Sequence, residues 1–150
     1  IVDISQGRPV LLRPGMLQVA QLSQLAGQPV LRAQPEPSAS TPAAPGTLAS
    51  HYAPRARVHL YTGPQIEQFA ATCPGRLAVW SRTPLSLPDS VLWRAMPALP
   101  ADCAHDLFAQ LRSLDATGVD HIWVETPPDA EAWDGVRDRL QRASHPSSPH

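Results

Sequence analysis

Proline placement constrains this chain more than any other feature. Pro35, Pro37, Pro42, Pro45 and Pro54 all fall between residues 33 and 56. Each fixes φ and removes a backbone N–H, so neither a helix nor an interior strand can run through the stretch. Ser, Thr and Ala fill much of the remainder, and Tyr52 is its one aromatic residue. That composition predicts an extended, partly polyproline-II linker, with residues 34–46 as its mobile part. The linker divides the chain into residues 1–32 and 57–144. The tail 145–150, with two Pro and two Ser, is read as disordered.

Beyond the linker, short apolar runs alternate with helical periodicity. Val58-His59-Leu60-Tyr61 predicts a strand. Thr62 predicts an N-cap before Pro64, and Gln65 completes a capping box. Ile66, Phe69, Ala70 and Cys73 form the inward face of that helix, and Pro74-Gly75 ends it. Leu77 to Ser81 is a continuous apolar strand, and Val91-Leu92-Trp93 a weaker one. Asp102 is read as the cap of a helix 103–116 with Leu107, Phe108, Leu111 and Leu114 inward and Gly118 as terminator. His121 to Glu125 is another strand. Asp129 is read as the cap of a helix 130–143 with Trp133, Val136, Leu140 and Ala143 inward. Such alternation implies βαβ units and a mostly parallel sheet, and strands apolar on both faces are those buried within it. The expected fold is a small three-layer, Rossmann-like α/β domain.

Residues 1–4 and 9–13 are apolar runs separated by Ser5-Gln6-Gly7-Arg8, which has turn chemistry and predicts a β-hairpin. Val19, Leu22, Leu25 and Ala26 recur at helical spacing over 17–26, and Gly27 ends the run. A two-stranded hairpin is marginal in water, so this hairpin and helix read as an orphan whose Val2, Ile4, Val10 and Leu12 need a sheet from elsewhere. The opening Ile1-Val2-Asp3-Ile4, in mid-strand style without Met, reads as the start of a fragment.

The net charge of −1 gives no wholesale basic surface for nucleic acid. Its distribution is uneven: residues 1–57 carry five Arg against two acids, and 58–150 seven Arg against eleven acids. All twelve basic residues are Arg, which excludes a phosphate-loop lysine, a Schiff-base lysine and a lysine general base. Cys73 and Cys103 have neither metal nor redox spacing and read as small packing residues. No apolar run approaches the roughly 18 residues of a membrane span, and no signal peptide is evident. The reading is a soluble cytoplasmic protein.

No Gly-x-Gly-x-x-Gly, Gly-x-Ser-x-Gly, His-x-x-x-His or Cys-x-x-Cys motif exists, so the nucleotide-fold pattern lacks its phosphate fingerprint. Asp134–Arg137 and Asp138–Arg142 are helix pairs at i,i+3 and i,i+4 and read as a solvated charged face. Arg112 and Asp115 read the same way. His121 reads as a structural imidazole. Glu125 ends a parallel strand, where α/β domains place their ligands. Arg13 ends an apolar run before Pro14-Gly15, and a guanidinium fork held there suits phosphate oxygens. His51-Tyr52 before Ala53-Pro54 forms a stiff, aromatic-bearing hook, read either as a docking contact or as part of a site.

Four segments resemble the two-domain threonylcarbamoyl-AMP synthases of the YrdC/YciO superfamily. Ile1-Val2-Asp3 resembles the end of their Ser-Thr-Ile-Val-Asp strand, and Leu12-Arg13-Pro14-Gly15 their Leu-Arg-Pro-Gly turn. Ala44-Pro45-Gly46 through His51-Tyr52-Ala53-Pro54 resembles their interdomain linker, although Thr47 stands where the family has Met. Residues 107–144 resemble the close of their C-terminal domain. The family's Lys-x-Arg and Ser-x-Asn motifs are both absent, and a chain without Lys cannot contain the first.

The resemblance implies 1–32 as the end of a YrdC-like catalytic domain, 33–56 as the interdomain linker and 57–144 as the C-terminal domain. It implies a parent enzyme that condenses L-threonine, bicarbonate and ATP, with Mg2+, into threonylcarbamoyl-AMP and pyrophosphate for a downstream tRNA-modifying complex. Arg13 is implied as an ATP contact, and His51 and Tyr52 as a lid over the active site. No catalytic or metal-binding residue is implied in this chain, which would be inactive without the N-terminal catalytic domain. A second reading stays open: an independent α/β module that binds a nucleotide or a protein.

Overall fold

The two continuous apolar runs become the two interior strands of a four-stranded sheet. The computed structural model describes residues 1–33 and 54–144. Strands β4 (Arg57–Tyr61), β5 (Leu77–Ser81), β6 (Leu92–Ala95) and β7 (His121–Glu125) lie in the order β4-β7-β5-β6, and every pairing is parallel. β5 is buried along its whole length and β7 at all but its first residue. β6, at an edge, is mostly exposed.

Helices cover both faces, giving the expected three layers. On one side, α2 (Gly63–Phe69) sets Ile66 over Leu77, Val79 and Trp123. On the other, α3 (Pro100–Ala116) and α4 (Asp134–Ser144) pack Leu107, Leu111, Leu114, Val136 and Leu140 against Ala78, Trp80, Ile122 and Val124. The Thr62–Gln65 capping box forms as its sequence requires. No described helix is long and apolar enough to cross a membrane.

The helix starts differ from the sequence reading. Leu99, not Asp102, is the N-cap of α3; Pro100 is pre-shaped for the first helical turn and starts the helix earlier. Asp102 lies within the first turn, where its charge favours the helix N-terminus. Asp129 caps nothing. It is fully exposed, and a 3₁₀ turn over Glu131–Trp133 precedes α4. Phe69, the last residue of α2, is exposed rather than inward, because Ile66 and Ala70, four apart, hold the buried face and Phe69 falls beside it.

The N-terminal unit is more than a hairpin. β1 (Val2–Asp3) pairs antiparallel with β2 (Val10–Leu11), and β3 (Leu31–Arg32) adds a third strand parallel to β2 after helix α1 (Val19–Ala26). Gly27 closes α1 in the left-handed conformation, with φ of 65°. α1 buries none of its residues, and Ile4 and Leu25 are 76% and 78% exposed. Of the four residues read as needing a further sheet, Ile4 is exposed and Val2, Val10 and Leu12 are half-buried, while Leu11 and Val30 are buried. The linker and tail residues 34–53 and 145–150, including His51 and Tyr52, lie outside the described residues.

Candidate functional site

Open α/β sheets bind ligands in the crevice beyond the carboxyl ends of their strands. Here that crevice holds a side chain of the chain itself. Glu125, the last residue of β7, is 7% exposed and turns its carboxylate onto the loop after β5. Oε2 accepts the Arg82 and Thr83 backbone N–H groups at 2.7 and 3.0 Å, and Oε1 accepts the Thr83 hydroxyl at 2.8 Å. The Arg82 Nη2 lies 3.5 Å from Oε1, and its guanidinium stands over the Trp133 ring at 5.3 Å. Burial alone would raise the Glu125 pKa. The Thr83 and Arg82 hydrogen bonds and the Arg82 charge outweigh it and hold the carboxyl below its usual value. Two backbone amides, a hydroxyl and a guanidinium make an anion cradle, and its resident anion is tethered.

Arg13 stands at a second locus, between the N-terminal unit and α4. Its Nε donates to Asp138 Oδ2 at 2.9 Å, and Arg142 Nε reaches the same oxygen at 3.1 Å. Arg32 donates to Asp134 at 2.8 Å and to Glu131 at 3.1 Å. The Val19 backbone N–H also donates to Glu131 at 3.1 Å. At Gly135 a Cβ would sit 2.8 Å from the Gly15 carbonyl oxygen, so only glycine lets the Arg13-Pro14-Gly15 turn approach this closely. The helix pairs Asp134–Arg137 and Asp138–Arg142 form as read. The face they share is nonetheless a docking face, because Asp134 and Asp138 also reach across to Arg32 and Arg13. Asp115, read as solvated, accepts the Ala56 N–H at 2.8 Å and fastens the entry to β4.

His121 pairs in register beside β4, its ring centroid 6.0 Å from that of His59. Burial, then the neighbouring His121 and Arg57, lower the His59 pKa. Among the described residues no three His, Cys, Asp or Glu side chains gather where a metal could sit.

The model of one family, described as the C-terminal domain of threonylcarbamoyl-AMP synthase, matches residues 17–145. The chain belongs to that family. The threonylcarbamoyl-AMP synthase of Pyrococcus abyssi is 31% identical over 155 residues, covering 96% of this chain and 44% of the relative. The crystal structure of P. abyssi Sua5 complexed with L-threonine superposes with a TM-score of 0.79 at 29% identity, covering 95% of this chain and 44% of that one. A structure of a P. abyssi Sua5 variant, with a His and the following Tyr replaced by Ala, gives 0.76 at 28% identity, covering 95% and 43%. This chain thus spans less than half the length of these relatives.

Within this synthase C-terminal domain, sequence reasoning missed two groups of residues. Arg82 and Thr83 had no motif to mark them, since they act largely through backbone N–H. Arg32 and Glu131, with the reach of Asp134 across to Arg32, carried one signal: the opposite net charge of the two parts of the chain, which a dock of Arg against Asp and Glu uses.

Proposed function

We propose that this chain is the C-terminal part of an L-threonylcarbamoyladenylate synthase, an enzyme that joins L-threonine, bicarbonate and ATP into threonylcarbamoyl-AMP and pyrophosphate for tRNA modification. One observation carries the reading: nearly the whole chain matches 44% of such a synthase, in order, at 31% identity. On this reading residues 1–32 complete a catalytic domain, which accounts for their exposed apolar residues, and 33–56 form the interdomain linker. A YrdC-like domain supplies the rest of the cleft and the downstream tRNA-modifying complex receives the product.

Two contributions to chemistry follow for these residues. Arg13 meets the phosphates of ATP, its planar fork matched to their oxygens. His51 and Tyr52 close over the cleft, stiffened by Pro54, and exclude water from a carbamate and an acyl-adenylate that water would destroy. The domain 57–144 contributes no reacting group.

The test is threonine- and bicarbonate-dependent pyrophosphate release. The full-length protein should turn over, and this chain alone should not, having no Lys to meet a transferring phosphate. In the full-length protein, Tyr52→Ala should lower threonylcarbamoyl-AMP formation roughly tenfold, about 1.4 kcal/mol of barrier. The melting of domain 57–144 should be unchanged. Full activity with a lowered melting temperature would make the linker a docking strap instead.

A further inference from the structure

Glu131, Asp134, Gly135, Asp138 and Arg142 fall at i, i+3, i+4, i+7 and i+11, which is one stripe along α4 and the turn before it. Val136, Leu140 and Ala143 fall on another stripe, buried against the sheet. α4 therefore has two occupied faces. The apolar one belongs to the domain core, and the polar one seats the turn Arg13-Pro14-Gly15 and Arg32 of the N-terminal unit.

Within that seat, Arg13 is held at two levels. Gly135 admits the backbone of Gly15, two residues from Arg13. Asp138 holds Arg13 by Nε, and a hydrogen bond at Nε fixes rotation of the guanidinium plane about its last side-chain bond. Asp138 is itself held from the far side, because Arg142 shares the same carboxylate oxygen. Arg13 and Asp138 are 13% and 18% exposed, so water screens this pair less than a surface pair. An arginine free to swing would lose side-chain entropy on meeting a phosphate. One already oriented loses less.

We propose that Asp138 is a positioning residue for Arg13, so that α4 of the C-terminal domain sets how well an arginine of the neighbouring unit meets ATP. This inference rests on the reading of Arg13 as a phosphate contact. It gives the C-terminal domain a part in nucleotide binding without a ligand of its own.

The experiment measures ATP affinity by calorimetry in the full-length protein, for Arg13→Gln, Asp138→Asn, their double variant and Arg32→Gln. Asn keeps the size and an acceptor oxygen of Asp138 while removing the charge, and circular dichroism checks folding in each case. Arg13→Gln and Asp138→Asn should each weaken ATP about fivefold or more, the range of modest coupling between sites. The double variant should be no weaker than Arg13→Gln, since a positioning role has Asp138 reach ATP only through Arg13. Arg32→Gln cuts the other ion pairs of the dock and should move ATP affinity less than Asp138→Asn. Three results overturn the inference alone: Asp138→Asn without effect beside a weakened Arg13→Gln, full additivity in the double variant, or an equal loss in Arg32→Gln. If Arg13→Gln leaves ATP affinity unchanged, the phosphate-contact reading fails, and the positioning role fails with it.

Discussion

Glu125 offers the sharpest test of the physical account, because its environment is closed and every donor around it is named. Consider Glu125→Gln. If the amide oxygen takes the place of Oε2, the Arg82 and Thr83 N–H groups keep an acceptor, but a neutral one. The Nε2 then faces the Thr83 hydroxyl, which can turn to accept, and the Arg82 guanidinium, which cannot. A hydrogen bond to a charged group nets about 1.5–3 kcal/mol against about 0.5–1.5 for a neutral pair, so losing charge on two bonds costs about 2 kcal/mol. For a domain of this size that lowers the melting temperature by roughly 8–16 °C. Glu125→Ala leaves two buried N–H groups unpaired and should cost about twice as much, with partial recovery in added formate.

The pH dependence has a definite sign. Glu125 titrates below its usual value when folded, so its contribution is present above the unfolded pKa, about 4.3, and is lost as pH falls through the folded value. Glu125→Gln should flatten the loss of stability on acidification below about pH 4. Calorimetric melting across pH reads both effects. A Gln variant melting within about 2 °C of the parent at pH 7, under about 0.5 kcal/mol, would refute the cradle as an energetic feature.

Gly135→Ala sets two effects against each other: Ala narrows the unfolded ensemble relative to Gly, worth about 0.4–1 kcal/mol where its conformation fits, while its Cβ would meet the Gly15 carbonyl at 2.8 Å. Domain melting should hold or rise as amide exchange in residues 9–15 accelerates, and unchanged exchange there would refute the close approach. In this chain as it stands, amides of the short strands β1 and β2 should exchange far faster than those of Val79 and Ile122; equal protection would mean that the unit needs no further sheet. Cys103 is fully buried and its thiol is pushed up to about 12 by burial, whereas Cys73 is half-buried. A thiol reagent should therefore label Cys73 alone in the native protein, and a second fast-reacting thiol would contradict the packing of α3.

The sheet was legible because the burial of β5 and β7 on both faces is written as unbroken apolar runs, which no amphipathic helix or edge strand would carry. The inward stripes of α3 and α4 were legible from period alone. Their starts were not, since a Pro at the first turn and a 3₁₀ entry compete with any acidic residue offered as a cap, and the outcome depends on packing. β3 escaped notice because two residues, Leu31 and Arg32, have no period; the strand exists only because β2 lies beside it. The charged face of α4 was legible as pairs along one helix but not as a dock. A carboxylate that serves a neighbour on its own helix looks, in sequence, the same as one that also reaches an arginine 125 positions away.

These two loci together bear on what the parallel-sheet domain can bind and hold. Its ligand crevice is filled by Glu125, so a nucleotide would have to displace a carboxylate held by three hydrogen bonds and a guanidinium. Its contact with the N-terminal unit is of another kind, and includes ion pairs, the Val19 N–H bond to Glu131 and one close backbone approach. The bare apolar residues of the N-terminal unit, Ile4, Met16, Leu17 and Leu25, are not covered by that contact. Residues 1–33 thus carry two surfaces of different chemistry. An apolar surface loses its full stabilisation when it is exposed to water, whereas separated ions are rehydrated, so the exposed Arg32 pairs weaken as salt rises while the part-buried Arg13–Asp138 pair is screened less. Amide exchange should therefore quicken with salt around Arg32 before it does around Arg13, and equal quickening at both would contradict their difference in burial.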